Sequence, residues 1–473
     1  MLCVEQLSNI IKHSVEQGEW HPLPISNNGP LVSHLMFADD MVLFAEATEE
    51  QLDVIINCLT VFCNASGQKV NFLKSSLFVS PNVSTSTASR LSSKSGIPLV
   101  SDLGRYLGVP SLHGRVSQVQ FRGLVDDMRS RLAGWKAGAL SRAGRITLVQ
   151  SVLNSIPIYT MQSIKLPVSI CKEMERLCRN FIWHGNSGDS AVHLINWQTL
   201  LYPKQNGGLG IRNFGLMNQA MLGKLCWRAF MNPSDLWISC LLWKYNNGRI
   251  SWNLRVPPGA SMNWKALCWG LQLVSSGVSI DVRSGTDVKF WQDDWLSVGP
   301  LFRLVSAPID PLELEVVVRY YWIPGYGWDW NRLSLWLPDF VLAFLLPICL
   351  HDDVNSRDGI IWRHSISGQY SVKTGYSLLV EKCGLPVALP LWKLIWKAPG
   401  TQRMRVFLWE VAHEKIMVNV QRFRRGWINS DLCMSCGTQS ESVLHVLRDC
   451  NFIKSCWLNL LPASEVQTFF WLR

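Results

Sequence analysis

Towards one end of this chain stand Cys433-Met434-Ser435-Cys436, then His445, then Cys450, in the pattern Cys-x2-Cys-x8-His-x4-Cys. No other feature restricts the fold so tightly. A Cys-x2-Cys turn lets both sulfurs reach one ion, and a His and a Cys five positions apart supply the remaining corners of a tetrahedron. Gly437, directly after the second Cys, suits the tight knuckle this requires. Three thiolates and one imidazole favour Zn2+ over harder ions. Cys433, Cys436, His445 and Cys450 are therefore the candidate zinc ligands. The competing reading is a set of buried, reduced cysteines beside an unrelated histidine. Cys456 is a spare that either replaces Cys450 or packs in the core.

Fourteen cysteines in all raise the question of redox compartment. The start, Met1-Leu2-Cys3-Val4-Glu5, lacks a basic stretch followed by an apolar one, so no signal peptide is expected. Unsecreted, the cysteines stay reduced and serve as core residues or metal ligands. The longest apolar run, 340–350, is broken by Pro347 and falls short of the roughly 20 residues a bilayer span needs. An intracellular, soluble protein of the nucleus or cytoplasm, with no membrane partner, is expected. At 473 residues, 48% hydrophobic and 17% charged, the chain is not disordered and has material for about three or four domains. Net charge +10 and a pI near 9.0 would attract phosphate backbones, although many basic proteins bind none. The 23 tryptophans read mostly as core or inter-domain packing.

Residues 1–20 look helical, with Leu2, Leu7, Ile10 and Ile11 roughly on one face. Asn27-Asn28-Gly29-Pro30 is a turn. Two apolar segments, 31–38 and 41–45, flank Asp39-Asp40 and predict a hairpin with the acids at its tip. Helical periodicity returns over 48–66, Val70–Val79 reads as a strand, and a Ser/Thr-rich loop is expected over about 80–95. Residues 116–235 look mainly helical, carrying Arg122, Arg129, Arg131, Lys136, Arg142 and Arg145. Residues 236–364 are Trp- and Pro-rich and harder to read. After Gly368 the pattern turns helical again and leads into the Cys/His cluster.

Adjacent acids between two apolar strands are costly if crowded, because the carboxylates repel unless a cation neutralises them. Mg2+ suits oxygen ligands, and paired Mg2+ ions drive phosphoryl transfer in polymerases. Asp-Asp is also simply a good hairpin turn. Near the Cys/His cluster, Arg422, Arg424 and Arg425 are candidates for phosphate contact in RNA or DNA. Their alternative is the solvated face of an amphipathic helix, with Phe407, Trp409 and Phe423 in the core.

The stretch around Phe37-Ala38-Asp39-Asp40 resembles the corresponding box of reverse transcriptases from plant LINE-type, non-LTR retrotransposons. Ser66-Gly67-Gln68-Lys69-Val70-Asn71-Phe72-Leu73-Lys74-Ser75 resembles the next palm motif, and Arg105-Tyr106-Leu107-Gly108-Val109-Pro110 the one near the primer grip. Leu132-Ala133-Gly134-Trp135-Lys136, Leu140-Ser141-Arg142-Ala143-Gly144-Arg145 and Asn206-Gly207-Gly208-Leu209-Gly210-Ile211 resemble segments of the plant branch. Gly368-Gln369-Tyr370-Ser371-Val372-Lys373, Leu391-Trp392-Lys393-Leu394-Ile395-Trp396 and Phe407-Leu408-Trp409, with the Cys/His cluster, resemble the zinc-binding domain that follows the polymerase in such polyproteins.

The resemblance implies an α+β chain: a partial palm over 1–115, a thumb-like helical region over 116–235, a connection region over 236–364 and a zinc-binding helical domain over 365–460. It implies Asp39 as the main Mg2+ ligand with Asp40 beside it, and Lys74 as a general acid towards departing pyrophosphate. A surface lysine is the plainer reading of Lys74. The family's polymerase needs a third carboxylate on a strand well upstream, whereas Glu5, Glu16 and Glu19 lie in a helical pattern. The chain is thus expected to begin inside the palm, to lack useful polymerase activity alone, and to leave no room after Cys456 for an RNase H-like domain. RNA-directed DNA polymerase ancestry, a host-retained nucleic-acid-binding zinc module and a pseudogene product all remain open at this point.

Overall fold

The computed structural model describes residues 2–111, 118–134, 139–184, 192–296, 298–305, 308–351, 353 and 356–471. Trp135 and Lys136 of the segment noted above lie outside the described residues. About half of the chain is helical, and every sheet among the described residues is a two-stranded antiparallel pair. No helix among them is long and apolar enough to cross a membrane. The chain divides into two units, each assembled from separated segments. One holds Met1–Gln120, Tyr159–Leu166 and Met217–Leu379; the other holds Phe121–Ile158, Pro167–Leu216 and Val380–Arg473.

The first unit begins with the helix Leu2–Glu16. Its apolar face buries Leu7 and Ile11 against Cys58, Leu59 and Phe62 of the helix Glu49–Ser66, with Trp20 closing the cluster. That second helix starts where Thr48 Oγ1 accepts the Gln51 amide at 3.2 Å. It ends at Gly67, whose left-handed φ of 72° lets its amide donate to the Cys63 carbonyl. The two acids sit on the hairpin between these helices: His34–Phe37 pairs with Asp40–Leu43, Phe37 opposite Asp40.

Two expectations fail here. The Ser/Thr-rich stretch is not a loop but the helix Thr85–Ser95. Ser84 caps it by accepting the Thr87 amide at 3.1 Å, and Ala88 and Leu91 are buried. Cap chemistry and two well-placed apolar residues outweigh poor helix propensity. Val70–Val79, in turn, forms no strand beyond a single bridge from Leu77 to Leu99. The Asn71 carbonyl accepts the amides of Lys74 and Ser75, and its side-chain oxygen also accepts that of Lys74. This local turn diverts the backbone from a ladder.

The stretch 236–364 holds a core rich in aromatic side chains. Phe290, Trp291, Tyr321, Leu333 and Val341 are fully buried there, and Trp295 and Trp328 nearly so. Large aromatics bury about 150–250 Å² each and still need a partner for their polar atom. Trp291 Nε1 donates to the Tyr321 hydroxyl at 2.9 Å, and that hydroxyl donates to Glu313 at 2.5 Å. Beside this core Val278–Asp281 pairs with Gly359–Trp362, and the Trp362 side chain is wholly buried.

Asn218 explains why the short segment Tyr159–Leu166 belongs to this unit. The residue is fully buried in the helix Phe214–Met231. Its Nδ2 donates to the Met161 and Ile164 carbonyls at 2.9 and 2.8 Å, and its Oδ1 accepts the Leu166 amide at 2.8 Å. Replacing it leaves three buried backbone groups unpaired, each costing about 1–3 kcal/mol. We expect Asn218→Ala to lower hydrogen-exchange protection of the Leu166 amide by roughly a hundredfold or more. Protection in the Trp291–Tyr321 core should be unchanged, and an unaffected Leu166 amide would refute the assignment.

Candidate metal centre

The second unit carries the Cys/His quartet. The segment 431–441 folds back on itself: the Cys433 amide donates to the Gln439 carbonyl at 2.8 Å and the Glu441 amide to the Asp431 carbonyl at 2.7 Å. Gly437, at φ 67°, turns the knuckle, and its amide donates to the Cys433 carbonyl at 2.8 Å. Ser442 then starts the next turn, its hydroxyl accepting the His445 amide at 3.1 Å. The turn His445–Asp449 is a π-helical one, and the Cys450 amide donates to the His445 carbonyl at 2.9 Å. In an α-helix, residues five apart diverge by about 140°. A π turn bonds i to i+5 and returns both to one side. This is how His445 and Cys450 come to face the same point.

The ligand atoms of Cys433, Cys436, His445 and Cys450 all lie within 4.8 Å of one another. Cys433 Sγ is 4.0 Å from Cys450 Sγ, and Cys436 Sγ is 3.4 Å from His445 Nε2. Zinc at about 2.3 Å from sulfur and about 2.0 Å from nitrogen separates tetrahedral donors by about 3.5–3.8 Å, so the set fits that ion. Cys456 is exposed on the helix Asn451–Leu460 and stands outside the quartet.

Electrostatics distinguish the sulfurs. Amides of Thr438 and Gln439, the Thr438 hydroxyl and His445 hold the Cys436 thiol down at about 6, so its thiolate is available near neutrality. Burial pushes the Cys450 thiol up. The supporting shell was not visible in the sequence. Buried Asn419 donates from Nδ2 to the Leu432 carbonyl at 2.9 Å and to Glu441 at 3.2 Å, while Glu441 Oε1 accepts the Asn419 amide. This joins the helix Asn419–Phe423 to the knuckle. Neither residue type nor spacing marks it.

That helix brings the basic candidates along. Arg422 and Arg424 are exposed, and Arg425 is half-buried, donating to the Gln421 carbonyl and lying 5.9 Å from the Trp427 ring. Trp409 is core, as expected, but Phe407 and Phe423 are exposed at 44% and 48%.

The acids of the first unit look different. Asp39 occupies the hairpin turn beside Ala38, whose φ is +55°, and Asp40 begins the second strand; both are exposed. They are therefore not a crowded, buried pair. Among the described residues the quartet alone gathers three or more His, Cys, Asp or Glu ligand atoms at one point. Two exposed carboxylates do not amount to a donor set for paired Mg2+ ions. Lys74 is exposed in the Asn71 turn.

A family model described as zinc-binding in reverse transcriptase matches residues 370–457. The quartet falls inside that match. A relative from Arabidopsis thaliana, "Putative ribonuclease H protein At1g65750", is 34% identical over 369 residues, covering 76% of this chain and 59% of that protein. A second, "Uncharacterized mitochondrial protein AtMg00310" of the same plant, is 28% identical over 159 residues, covering 33% of this chain and 99% of that protein. The chain thus spans less than two thirds of the length of the first relative. These matches are consistent with a retrotransposon-derived protein.

Metal analysis of purified protein is expected to find about one zinc per chain, and Cys433→Ser or Cys450→Ser to abolish it. Chelation should expose 430–457 to proteolysis. Acidification should weaken zinc retention as protons compete for the ligands, with Cys436 keeping its thiolate to lower pH than Cys450. A zinc-free preparation with an intact, protease-resistant knuckle would exclude the site.

Proposed function

We propose that this chain is part of the polyprotein of a plant LINE-type retrotransposon reverse transcriptase, and that its C-terminal zinc module binds RNA and DNA. The observation that carries this reading is the convergence of Cys433, Cys436, His445 and Cys450 within a segment similar to the zinc-binding domain of reverse transcriptases. Zinc would supply no chemistry of its own here. Held by four protein ligands it is structural, fixing the knuckle and the helix that Asn419 ties to it.

Basic and aromatic side chains then do the binding. Exposed Arg422 and Arg424 offer their charge to phosphates, while Phe423 and Trp427, 48% and 53% exposed, offer faces for unstacked bases. Arg425, braced by Gln421, orients this edge. Asp39 and Asp40 are the remnant of a polymerase centre in this reading, with Lys74 beside the same motif series. Two solvent-facing carboxylates leave paired cations insufficiently neutralised, so the chain does not polymerise by itself.

Primer extension with purified protein and Mg2+ or Mn2+ should yield no templated product; robust synthesis would overturn the inactivity. Nucleic-acid binding should be strongly salt-dependent and lost on zinc chelation. The double change Arg422→Ala and Arg424→Ala should weaken it by about tenfold and reduce the salt slope by about two. Wild-type protein that binds neither RNA nor DNA at low salt would refute the proposal.

A further inference from the structure

In the first unit a cavity of about 500 Å3 opens beside the helix Met262–Val274. That volume falls within the roughly 300–1,000 Å3 of pockets that take small organic groups. Cys268, Leu271, Gln272 and Ser275 line it along one helix face, at positions i, i+3, i+4 and i+7. Trp252, Asn253 and Arg255 come from the segment that precedes the helix. Local hydrogen bonds hold that segment in place. Trp264 Nε1 donates to the Arg255 carbonyl at 2.8 Å, and the Ser261 amide donates to the Tyr245 hydroxyl at 2.9 Å. Ser261 Oγ then accepts the Trp264 amide at 3.3 Å and starts the helix.

Trp252 is stacked on Phe230, with centroids 3.9 Å apart and 17° between the planes, yet it remains 38% exposed. An exposed indole backed by another ring is a rigid platform for a flat ligand. Asn253 and Gln272 are exposed and offer side-chain amides that both donate and accept. Burial pushes the Cys268 thiol up to about 11, so it adds no negative charge. The charge around the cavity is nearly all of one sign. Residues 216–280 contain Lys224, Arg228, Lys244, Arg249, Arg255 and Lys265 against Asp235 alone. All six cations are at least partly exposed, and among the described residues none pairs with a carboxylate. Arg255 lines the cavity, and Lys265 lies on the same helix face about one turn before Cys268.

We infer that this cavity takes an unpaired base of single-stranded RNA or DNA, stacked on Trp252, with the flanking phosphates on Arg255 and Lys265. This rests on the reading that the chain binds nucleic acid, and adds a contact in a different unit from Arg422 and Arg424. A base inside a duplex is covered on both faces and paired along its edge, so the cavity selects single strands. Stacking accepts any base, so sequence preference is weak. An acidic peptide would match the cations but leave the Trp252 platform without a flat partner. A single strand is flexible, so it engages this contact and the knuckle together with no fixed geometry between them. One stacked base and two phosphates add to the grip of the knuckle and do not replace it.

The test uses the full, zinc-loaded chain and fluorescence anisotropy of labelled oligouridylate and oligothymidylate, each about 40 nucleotides long so that both contacts are reached. Trp252→Ala should weaken single-strand binding about five- to tenfold and leave duplex binding unchanged, with Trp252→Phe recovering much of the loss. Arg255→Gln should weaken it about threefold and lower the salt slope by about 0.7. Irradiating wild-type protein with a 5-iodouracil-substituted oligomer should cross-link Trp252, a readout that does not depend on the folding of a variant. Wild-type protein that binds no nucleic acid defeats the broader reading and this one together. Binding that responds to Arg422→Ala but not to Trp252→Ala or Arg255→Gln, with no cross-link between 252 and 275, overturns this inference alone. So would low-millimolar uridine monophosphate abolishing the Trp252 cross-link, which marks a site for free nucleotide, or polyglutamate abolishing it at equal charge.

Discussion

Three sulfurs and an imidazole nitrogen within 4.8 Å of one another cannot be held together by packing alone. As thiolates they repel; as thiols they are poor hydrogen-bond partners for one another. Apolar packing adds little at the knuckle's tip, where Met434 is 90% exposed and Leu432 45% exposed. A cation resolves both problems, and the local structure is arranged for it. A glycine turn aligns two sulfurs, a π turn returns His445 and Cys450 to one side, and the amides after Cys436 favour its thiolate. The position of the helix carrying Arg422 and Arg424 depends in turn on Asn419 and Glu441, which are fastened to that knuckle.

This centre could be read from the sequence because ligand spacing is a local property. Cys-x2-Cys constrains a turn whatever surrounds it, and the structure brings Cys450, not Cys456, into reach for an equally local reason: the i to i+5 hydrogen bond at His445. The helices at Leu2–Glu16 and Glu49–Ser66 were legible on the same grounds, from periodic apolar faces and a Thr48 cap. The helix Thr85–Ser95 was not, because its serines and threonines look like loop residues until Ser84 is recognised as a cap. The strand expected over Val70–Val79 failed because Asn71 captures neighbouring amides, a competition that apolar content does not report.

Long-range arrangement was far less visible. Nothing in the pattern of residues 159–166 assigns them to the unit that contains Met217–Leu379; the three hydrogen bonds of one buried asparagine do so. Asn419 plays the same part at the knuckle. Both are ordinary polar residues in sequence, and their importance arises only from which backbone groups the fold leaves beside them. Tryptophan is the converse case. Its abundance suggested packing, and in the core around Phe290 that is its role, with indole N–H groups matched to Tyr321 and to the Phe290, Leu345 and Ile348 carbonyls.

That matching gives Trp183 its weight. Where the chain buries an indole for stability it also provides an acceptor, as at Trp291, Trp295, Trp328 and Trp409. Trp183 breaks the rule beside an arginine whose Nε also lacks an acceptor. Trp322 and Trp396 also lack partners, so an orphaned indole alone proves little. Among the described residues, only at Trp183 does the orphan coincide with a second unpartnered cationic nitrogen, Arg179 Nε. Asp39 and Asp40 are anions that water already satisfies, whereas the Arg179 and Trp183 donors are shielded from water and still lack an acceptor.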